Sequence, residues 1–202
     1  MPQLYENGVI TDAGAALLAR IETSTARLEV TRVVTGAGVY SSAEKAESAL
    51  RTRTALKDQR NQYTPSSVSV TDPATIKITA LISNEDPVTG DPLVTSGYFI
   101  NEIGVYCKEY GAAASTEVLY CIAVAAMETG DYMPPYEGGG ASQITQSIYL
   151  TVGNAATTYV TIAGAAALAT DLADLATRVG DLETFGFSVV DGVLNVTYEE
   201  EG

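Results

Sequence analysis

The side chains that could carry out chemistry are few, because this chain of 202 residues contains no histidine. Ser-His-Asp and Cys-His catalysis, histidine-ligated metals and a histidine pH switch near neutrality are therefore excluded. What remains are two cysteines, Cys107 and Cys121, the polar pair Asn101-Glu102 and an acidic turn at 84–92. Each of these groups allows a chemical and a purely structural interpretation.

Both cysteines lie inside apolar runs, which span 103–107 and 119–124. This setting favours two small core side chains in a reducing compartment over a disulfide. Two cysteines are too few for the disulfide framework that is typical of secreted proteins. Metal binding is disfavoured further, because the chain has neither a CxxC pair nor a histidine. No metal is expected at these thiols.

The Asn101-Glu102 pair lies at a predicted bend in a strand. Hydrogen bonds that fix the fold are the favoured interpretation, because no histidine or activated nucleophile accompanies the pair for acid-base work. The carboxylates of the turn 84–92 lack the ligand spacing of a calcium loop, which favours a solvated turn. The sequence thus predicts a protein that is not an enzyme and needs no cofactor.

The composition predicts a folded core, with 46% hydrophobic and 18% charged residues. The net charge of −14 argues against nucleic acid and anionic membranes as partners, because both require a concentrated positive surface. The charge is uneven: residues 1–60 hold 8 basic and 7 acidic side chains, whereas 61–202 hold 3 and 18. No signal peptide or apolar run of membrane-spanning length is visible, so we expect synthesis in a cytoplasm without membrane insertion.

The elements that must position these groups belong to a predicted head domain, residues 1–162. A helix is predicted from Asp12 to about Glu22, capped by Thr11 or Asp12. A strand over Leu28–Thr35 ends at the glycine turn 36–38, and 43–57 suits a short helix or a solvated connector.

Beyond residue 63 the hydrophobic period changes to two, which predicts strands. These strands are expected at 76–82, Tyr98–Cys107, Val118–Ala126, Gln143–Val152 and Thr157–Ile162, the last returning antiparallel. The predicted class is α+β: an antiparallel β-rich head with an N-terminal helix, followed by a short parallel coiled coil and a C-terminal β-hairpin.

The coiled coil is predicted over 163–184, where apolar residues recur with alternating spacings of 3 and 4. The positions of this seam are Ala165, Leu168, Leu172, Leu175, Val179 and Leu182. A helix packed once against its own domain would also show an apolar stripe, but the strict heptad spacing favours self-association. The seam leaves the number of chains open.

The last segment, 185–202, contains Asp191-Gly192 between two β-prone runs, a strong signal for a hairpin with a two-residue loop. That loop pairs Phe185 with Tyr198, Phe187 with Val196, and Val189 with Leu194, all on one apolar face. A two-stranded hairpin cannot bury such a face alone, so we expect it to pack on copies of itself.

Several motifs, taken in order, resemble the N-terminal domain of phage tail fibre (tail-collar fibre) proteins. They are the stretches 10–20, 28–38, 119–124 and 131–134, together with Phe99–Tyr106, which holds the box Asn101, Glu102, Ile103 and Gly104. The resemblance covers roughly residues 4–162. Ala37 departs from the family, which often has Asp between the two glycines of the turn.

The resemblance implies a virion structural protein that is assembled in the host bacterial cytoplasm and docks on the tail baseplate of a phage or phage-tail-like particle. In that family the assembly is usually a homotrimer. Receptor binding in the family normally lies in long C-terminal repeats, whereas only about forty residues follow the head here. A short fibre or adaptor is therefore expected, whose tip contacts a second fibre protein or a host receptor.

An alternative is a receptor- or carbohydrate-binding module on the tail tip, with its binding site in the tyrosine-rich loops or at the tip of the hairpin. Burial is the default for Tyr98, Tyr106, Tyr120 and Tyr149, because all four lie in strand runs. The uneven charge further predicts that the N-terminal segment 1–60 is the docking face, with Arg51 and Arg53 in the contact.

Overall fold

β-Strands make up most of the regular structure in the described part of this chain. A computed structural model describes residues 4–6, 8–24, 26–72, 75–151, 160–162, 187–190 and 193–196. The chain divides into two compact units, 1–166 and 167–202, which are described separately. None of the described helices is long and apolar enough to span a membrane.

The predicted α+β class is wrong, since the described residues form a mostly antiparallel β-structure with two short α-helices. The helices are α1 (Asp12–Glu22) and α2 (Glu47–Arg51), and a 3₁₀ turn spans Ala114–Thr116. The strands are β1 (Val9–Ile10), β2 (Leu28–Gly36), β3 (Gln59–Tyr63), β4 (Pro65–Asp72), β5 (Thr75–Ser83), β6 (Tyr98–Ile100), β7 (Glu102–Glu109), β8 (Val118–Val124), β9 (Asp131–Met133), β10 (Gln143–Thr151), β11 (Val160–Ile162), β12 (Phe187–Val190) and β13 (Val193–Val196). The segment 43–57, rich in Ala, Glu and Lys, holds only five helical residues.

The largest sheet has six strands in the order β1-β8-β7-β2-β11, with β3 pairing β2 off this path. β3 pairs only residues Val33–Gly36 of β2, which leaves the first half of that edge open. β11 fills this half in parallel, with Val160 opposite Leu28. The predicted antiparallel return of 157–162 is therefore wrong, because the described residues 160–162 pair in parallel with the part of the β2 edge that β3 leaves vacant.

The second sheet has three antiparallel strands in the order β10-β5-β4. The apolar face predicted from the period of two is confirmed, since the alternate residues of β5 are all buried. These residues are Ile76, Ile78, Ala80 and Ile82. They join the main core together with β2 and β7 residues such as Val30 and Val105.

Helix α1 has the predicted bounds and cap. The Thr11 hydroxyl accepts a hydrogen bond from the Gly14 backbone N–H at 3.0 Å, which satisfies one of the free donors at the helix start. Gly14 lets the helix approach β8, because a Cβ there would lie 2.3 Å from the Tyr120 carbonyl oxygen. Leu17 and Ile21 continue the same buried face toward the end of the helix.

The second unit contains a two-stranded sheet, β12 with β13. Its pairing is the predicted one, with Phe187 opposite Val196 and Val189 opposite Leu194. The predicted Phe185–Tyr198 pair lies outside the described residues. So does the helix predicted over 163–184, with seam positions Ala165, Leu168, Leu172, Leu175, Val179 and Leu182; no coiled coil is evident in the described part of the chain.

Candidate functional site

The Asn101-Glu102 pair occupies the break between β6 and β7, where the predicted single strand 98–107 is interrupted. β6 pairs with β9 in a separate two-stranded sheet, whereas β7 is central in the six-stranded one. The chain therefore changes sheet at Asn101. Its backbone links three segments, because its N–H donates to the Gly36 carbonyl at 2.9 Å and its carbonyl accepts from the Ala125 N–H at 2.8 Å.

Glu102 is fully buried, and its carboxylate accepts four hydrogen bonds. Oε1 accepts from the backbone N–H groups of Gly38 at 3.1 Å and Asp58 at 2.7 Å. Oε2 accepts from the Tyr40 hydroxyl at 2.5 Å and the Lys57 backbone N–H at 2.8 Å. Burial of a carboxylate is costly unless its acceptor sites are filled, and here these four donors fill them.

The two glycines of the turn are required by the close approach of this carboxylate. A Cβ on Gly36 would lie 2.4 Å from Glu102 Oε1 and 2.6 Å from the Asp58 carbonyl oxygen. A Cβ on Gly38 would lie 2.6 Å from the same carboxylate oxygen. The plain turn predicted at 36–38 is thus one wall of a carboxylate-binding cradle.

The side chain of Asn101 bonds to backbone at both of its polar ends. Its Nδ2 donates to the Ala37 carbonyl at 3.1 Å, and its Oδ1 accepts from the Gly130 N–H at 3.0 Å. The amide therefore joins the glycine turn to the segment that precedes β9. Like Glu102, Asn101 is used to connect parts of the fold.

The remaining two residues of the box pack in the interior. Ile103 belongs to the main core. Gly104 lies under two leucines, because a Cβ there would be 2.9 Å from Leu119 Cδ1 and 3.0 Å from Leu56 Cδ2. All four residues of the box thus fix the positions of neighbouring segments, which agrees with the structural interpretation of the sequence.

Tyr40 is the side chain that donates to Glu102, whereas the other three donors described above are backbone groups. Burial raises the pKa of the Tyr40 phenol above its ordinary value, and the hydrogen bond to Glu102 raises it further. The phenol therefore stays protonated and donating over the whole neutral range. We refer to Gly36, Gly38, Tyr40, Lys57, Asp58 and Glu102 as the Glu102 clamp.

Arg51 and Arg53, predicted to dock on a particle, both have carboxylates beside them in the head. Arg51 Nε lies 3.1 Å from Asp12 Oδ1 at the start of α1, and half of its side chain is exposed. The Arg53 guanidinium lies 5.1 Å from the centre of the Tyr40 ring and 3.9 Å from Glu44 Oε1. Both arginines can meet a partner only by sharing or leaving these carboxylates.

The other candidates for chemistry serve the fold. Cys107 and Cys121 are buried free thiols, as predicted for core side chains. In the turn 84–92, Asp86 Oδ1 accepts backbone hydrogen bonds from Val88 and Thr89, which is the geometry of a turn. The described residues contain no group of three or more carboxylate or thiol side chains placed to hold a metal ion.

A pair of exposed aromatic rings was missed by the sequence analysis. Phe99 on β6 and Tyr132 on β9 are cross-strand partners with ring centroids 5.1 Å apart, and each is about half exposed.

Four tyrosines were expected to be buried, and this prediction is wrong for Tyr149. Its side chain is 59% exposed, because it lies on the outer face of β10. The alternation in β10 was the available signal for Tyr149, because it lies on the face opposite to the apolar residues Ile148 and Leu150.

Comparison of the chain with protein-family models, curated protein sequences and solved structures gave no match. The resemblance to tail fibre proteins therefore rests on the motifs quoted from the sequence.

Proposed function

We propose that this chain is a non-enzymatic structural subunit of a tail particle, a fibre or adaptor attached to the baseplate of a phage or a phage-tail-like particle. Its head would dock on a baseplate or other tail protein, and two further copies of the chain would complete a homotrimer. It would be assembled in the bacterial cytoplasm and carried in the virion.

The observation that best supports this proposal is the use of the Asn101-Glu102 pair. The hydrogen bonds of the two side chains described above all go to backbone or to the Tyr40 hydroxyl. An acid-base residue must keep an atom free for its substrate, whereas a scaffold residue uses all of them internally. The box that resembles the tail fibre family is thus well suited to hold a binding surface rigid.

Self-association is supported by the sequence, because the apolar residues between 165 and 182 keep the heptad spacing. Docking through the N-terminal segment is supported by its charge. Residues 1–60 carry 8 basic and 7 acidic side chains, whereas 61–202 carry 3 basic and 18 acidic ones.

Incorporation into particles tests the docking proposal. Particles assembled with the double variant Arg51→Glu and Arg53→Glu should lose the chain, measured by mass spectrometry of purified particles. Lys77→Glu on β5 changes the charge in the same direction outside the N-terminal segment and should leave incorporation unchanged. Equal incorporation of the double variant and the wild type would contradict docking through these arginines.

A receptor- or carbohydrate-binding module is the second candidate, and the exposed Phe99–Tyr132 pair favours it. Aromatic faces beside polar groups are the usual platforms on which sugar rings stack. The double variant Phe99→Ser and Tyr132→Ser should abolish binding to host-cell glycans if this candidate is right, whereas Tyr110→Ser, at an equally exposed tyrosine, should not. Equal glycan binding by both variants would remove the candidate.

A further inference from the structure

The outer edge of β10 has no strand beside it in the described part of the chain. β10 pairs with β5 through all nine of its residues, and β5 pairs with β4 on its other side, so β10 is an edge of this sheet. The sequence of β10 contains no charge, no proline and no glycine. A long edge without such residues presents free N–H and C=O groups that readily accept another strand.

The opposite edge of the same sheet differs in this respect. β4 begins at Pro65 and ends at Asp72, and its pairing shifts register near both ends. Proline, charge and bulges are the usual devices by which edge strands avoid pairing. The two edges of one sheet thus contrast, and β10 is the edge that lacks these devices.

A cavity of about 390 Å³ runs beside β10. Four consecutive residues of the strand line it: Gln146, Ser147, Ile148 and Tyr149. Successive side chains of a strand point to opposite faces of its sheet. A cavity that touches all four therefore lies along the edge of β10, where an added strand would run, rather than over one face.

The cavity has an apolar floor and an acidic rim. Ile103 and Val105 of β7 and Cys121 and Ala123 of β8 form the floor. The carboxyl residues Glu6 and Asp131 are more exposed and form the rim, and none of the described lining residues is basic.

We propose that β10 and this cavity, together the β10 groove, bind an extended segment of a partner protein by strand addition. The segment would pair its backbone with β10, place alternate apolar side chains on the floor, and bring Lys or Arg to Glu6 and Asp131. A second copy of this chain is disfavoured as the occupant, because its own groove would bring the same carboxyl residues, Glu6 and Asp131, to the contact. The inference goes beyond the proposed function, since it uses neither Arg51 and Arg53 nor the Phe99–Tyr132 pair.

A labelled peptide tests the groove directly. The probe is a fluorescein-labelled peptide as long as β10, in which Thr and Val alternate between two terminal lysines. The control peptide is identical except that its two ends are glutamates. Fluorescence anisotropy with the full chain should give saturable binding of the lysine peptide and at least about tenfold weaker binding of the glutamate peptide. Hydrogen exchange should show the gain in protection at β10. Equal binding of both peptides, absence of binding, or protection only elsewhere would overturn the proposal.

Variants of the chain separate pairing from general loss of fold. Consecutive residues of a strand direct their N–H groups to opposite edges, so one of Gln146→Pro and Ser147→Pro removes a donor from the open edge and the other breaks the ladder with β5. The variant that keeps the wild-type melting temperature should no longer bind the lysine peptide.

Charge variants test the acidic rim. The double variant Glu6→Lys and Asp131→Lys should weaken lysine-peptide binding about tenfold, whereas Asp91→Lys should not. Wild-type affinity in the folded proline variant and in the double charge variant would overturn the proposal. Exchange protection of β10 that rises with protein concentration without peptide would also overturn it, in favour of a second copy.

Discussion

The Tyr40 hydroxyl donates a hydrogen bond to Glu102 Oε2 at 2.5 Å, between residues 62 positions apart in the chain. Three backbone N–H groups converge on the same carboxylate, one from Gly38 in the turn that leads to Tyr40 and two from the neighbouring residues Lys57 and Asp58. The Glu102 clamp therefore joins the glycine turn after β2, the loop before β3 and the start of β7. Two of these connections are buried and two are partly buried, and together they hold the surface segments around them in place.

Glu102→Gln should destabilise the head strongly. The amide removes the negative charge and places an N–H₂ group against donors, so we expect a loss of about 3 kcal/mol or more in the free energy of unfolding, measured by urea denaturation. Tyr40→Phe removes one donor and leaves the others, and should cost about 1.5 kcal/mol. A Glu102→Gln variant as stable as the wild type would show that the clamp does not hold the fold.

Local signals in the sequence were sufficient to predict several elements of the head. Helix α1 follows from a capping Thr11 and a run of helix formers, and the buried face of β5 follows from alternation. In the second unit, the hairpin register followed from Asp191-Gly192, because a two-residue loop fixes which residues face each other.

The rest depended on contacts between distant parts of the chain. The partners of Glu102 lie 44 to 64 residues away from it, and no spacing in the sequence relates them. β11 pairs with the part of the β2 edge that β3 leaves vacant, and sequence periodicity does not report which edge of a distant strand is vacant. The predicted class was wrong for the same reason. β3 and β4 are short or polar strands, and they form because β2 and β5 pair with them rather than because their own sequences alternate between apolar and polar residues.

Gly36→Ala should destabilise the head because the added methyl group has no space. Its Cβ would lie 2.4 Å from Glu102 Oε1 and 2.6 Å from the Asp58 carbonyl oxygen, so either the glycine turn or the Glu102 carboxylate must move. We expect a loss of about 2 kcal/mol or more in the free energy of unfolding, measured by thermal denaturation. Gly139→Ala is the matched control, since a Cβ there meets nothing within 4 Å, and it should change stability by less than about 0.5 kcal/mol. Equal melting temperatures for the two variants would contradict the close approach.

The stability of the head should fall at high pH. Burial raises the pKa of the Cys121 thiol from its ordinary 9.0 to about 12 and also raises that of Cys107. Because the folded pKa is the higher one, this stability is complete below about pH 9 and is lost as the pH rises through about 12. In the folded chain both thiols should resist DTNB at about pH 8, and both should react in guanidinium chloride. Rapid labelling of the folded protein would contradict their burial.

Glu44 should titrate at unusually low pH. Hydrogen bonds from Lys57 and Ser41 lower the pKa of this exposed carboxyl to about 2. Since the folded pKa is the lower one, the associated stability is present at neutral pH and is lost as the pH falls from about 4.5 through about 2. Lys57→Met should raise the pKa of Glu44 in an NMR titration, whereas Lys77→Met should not. An unchanged pKa in Lys57→Met would show that the lysine is not its main partner.

The measurement that tests the proposed assembly most directly is the mass of the full chain in solution, by light scattering at micromolar concentration. We expect a homotrimer, three times the mass of one chain, and a shift to monomer in Leu175→Asp, which places a charge at a heptad position. Wild-type protein that is monomeric under these conditions would contradict the claim that this chain is a self-assembling structural subunit.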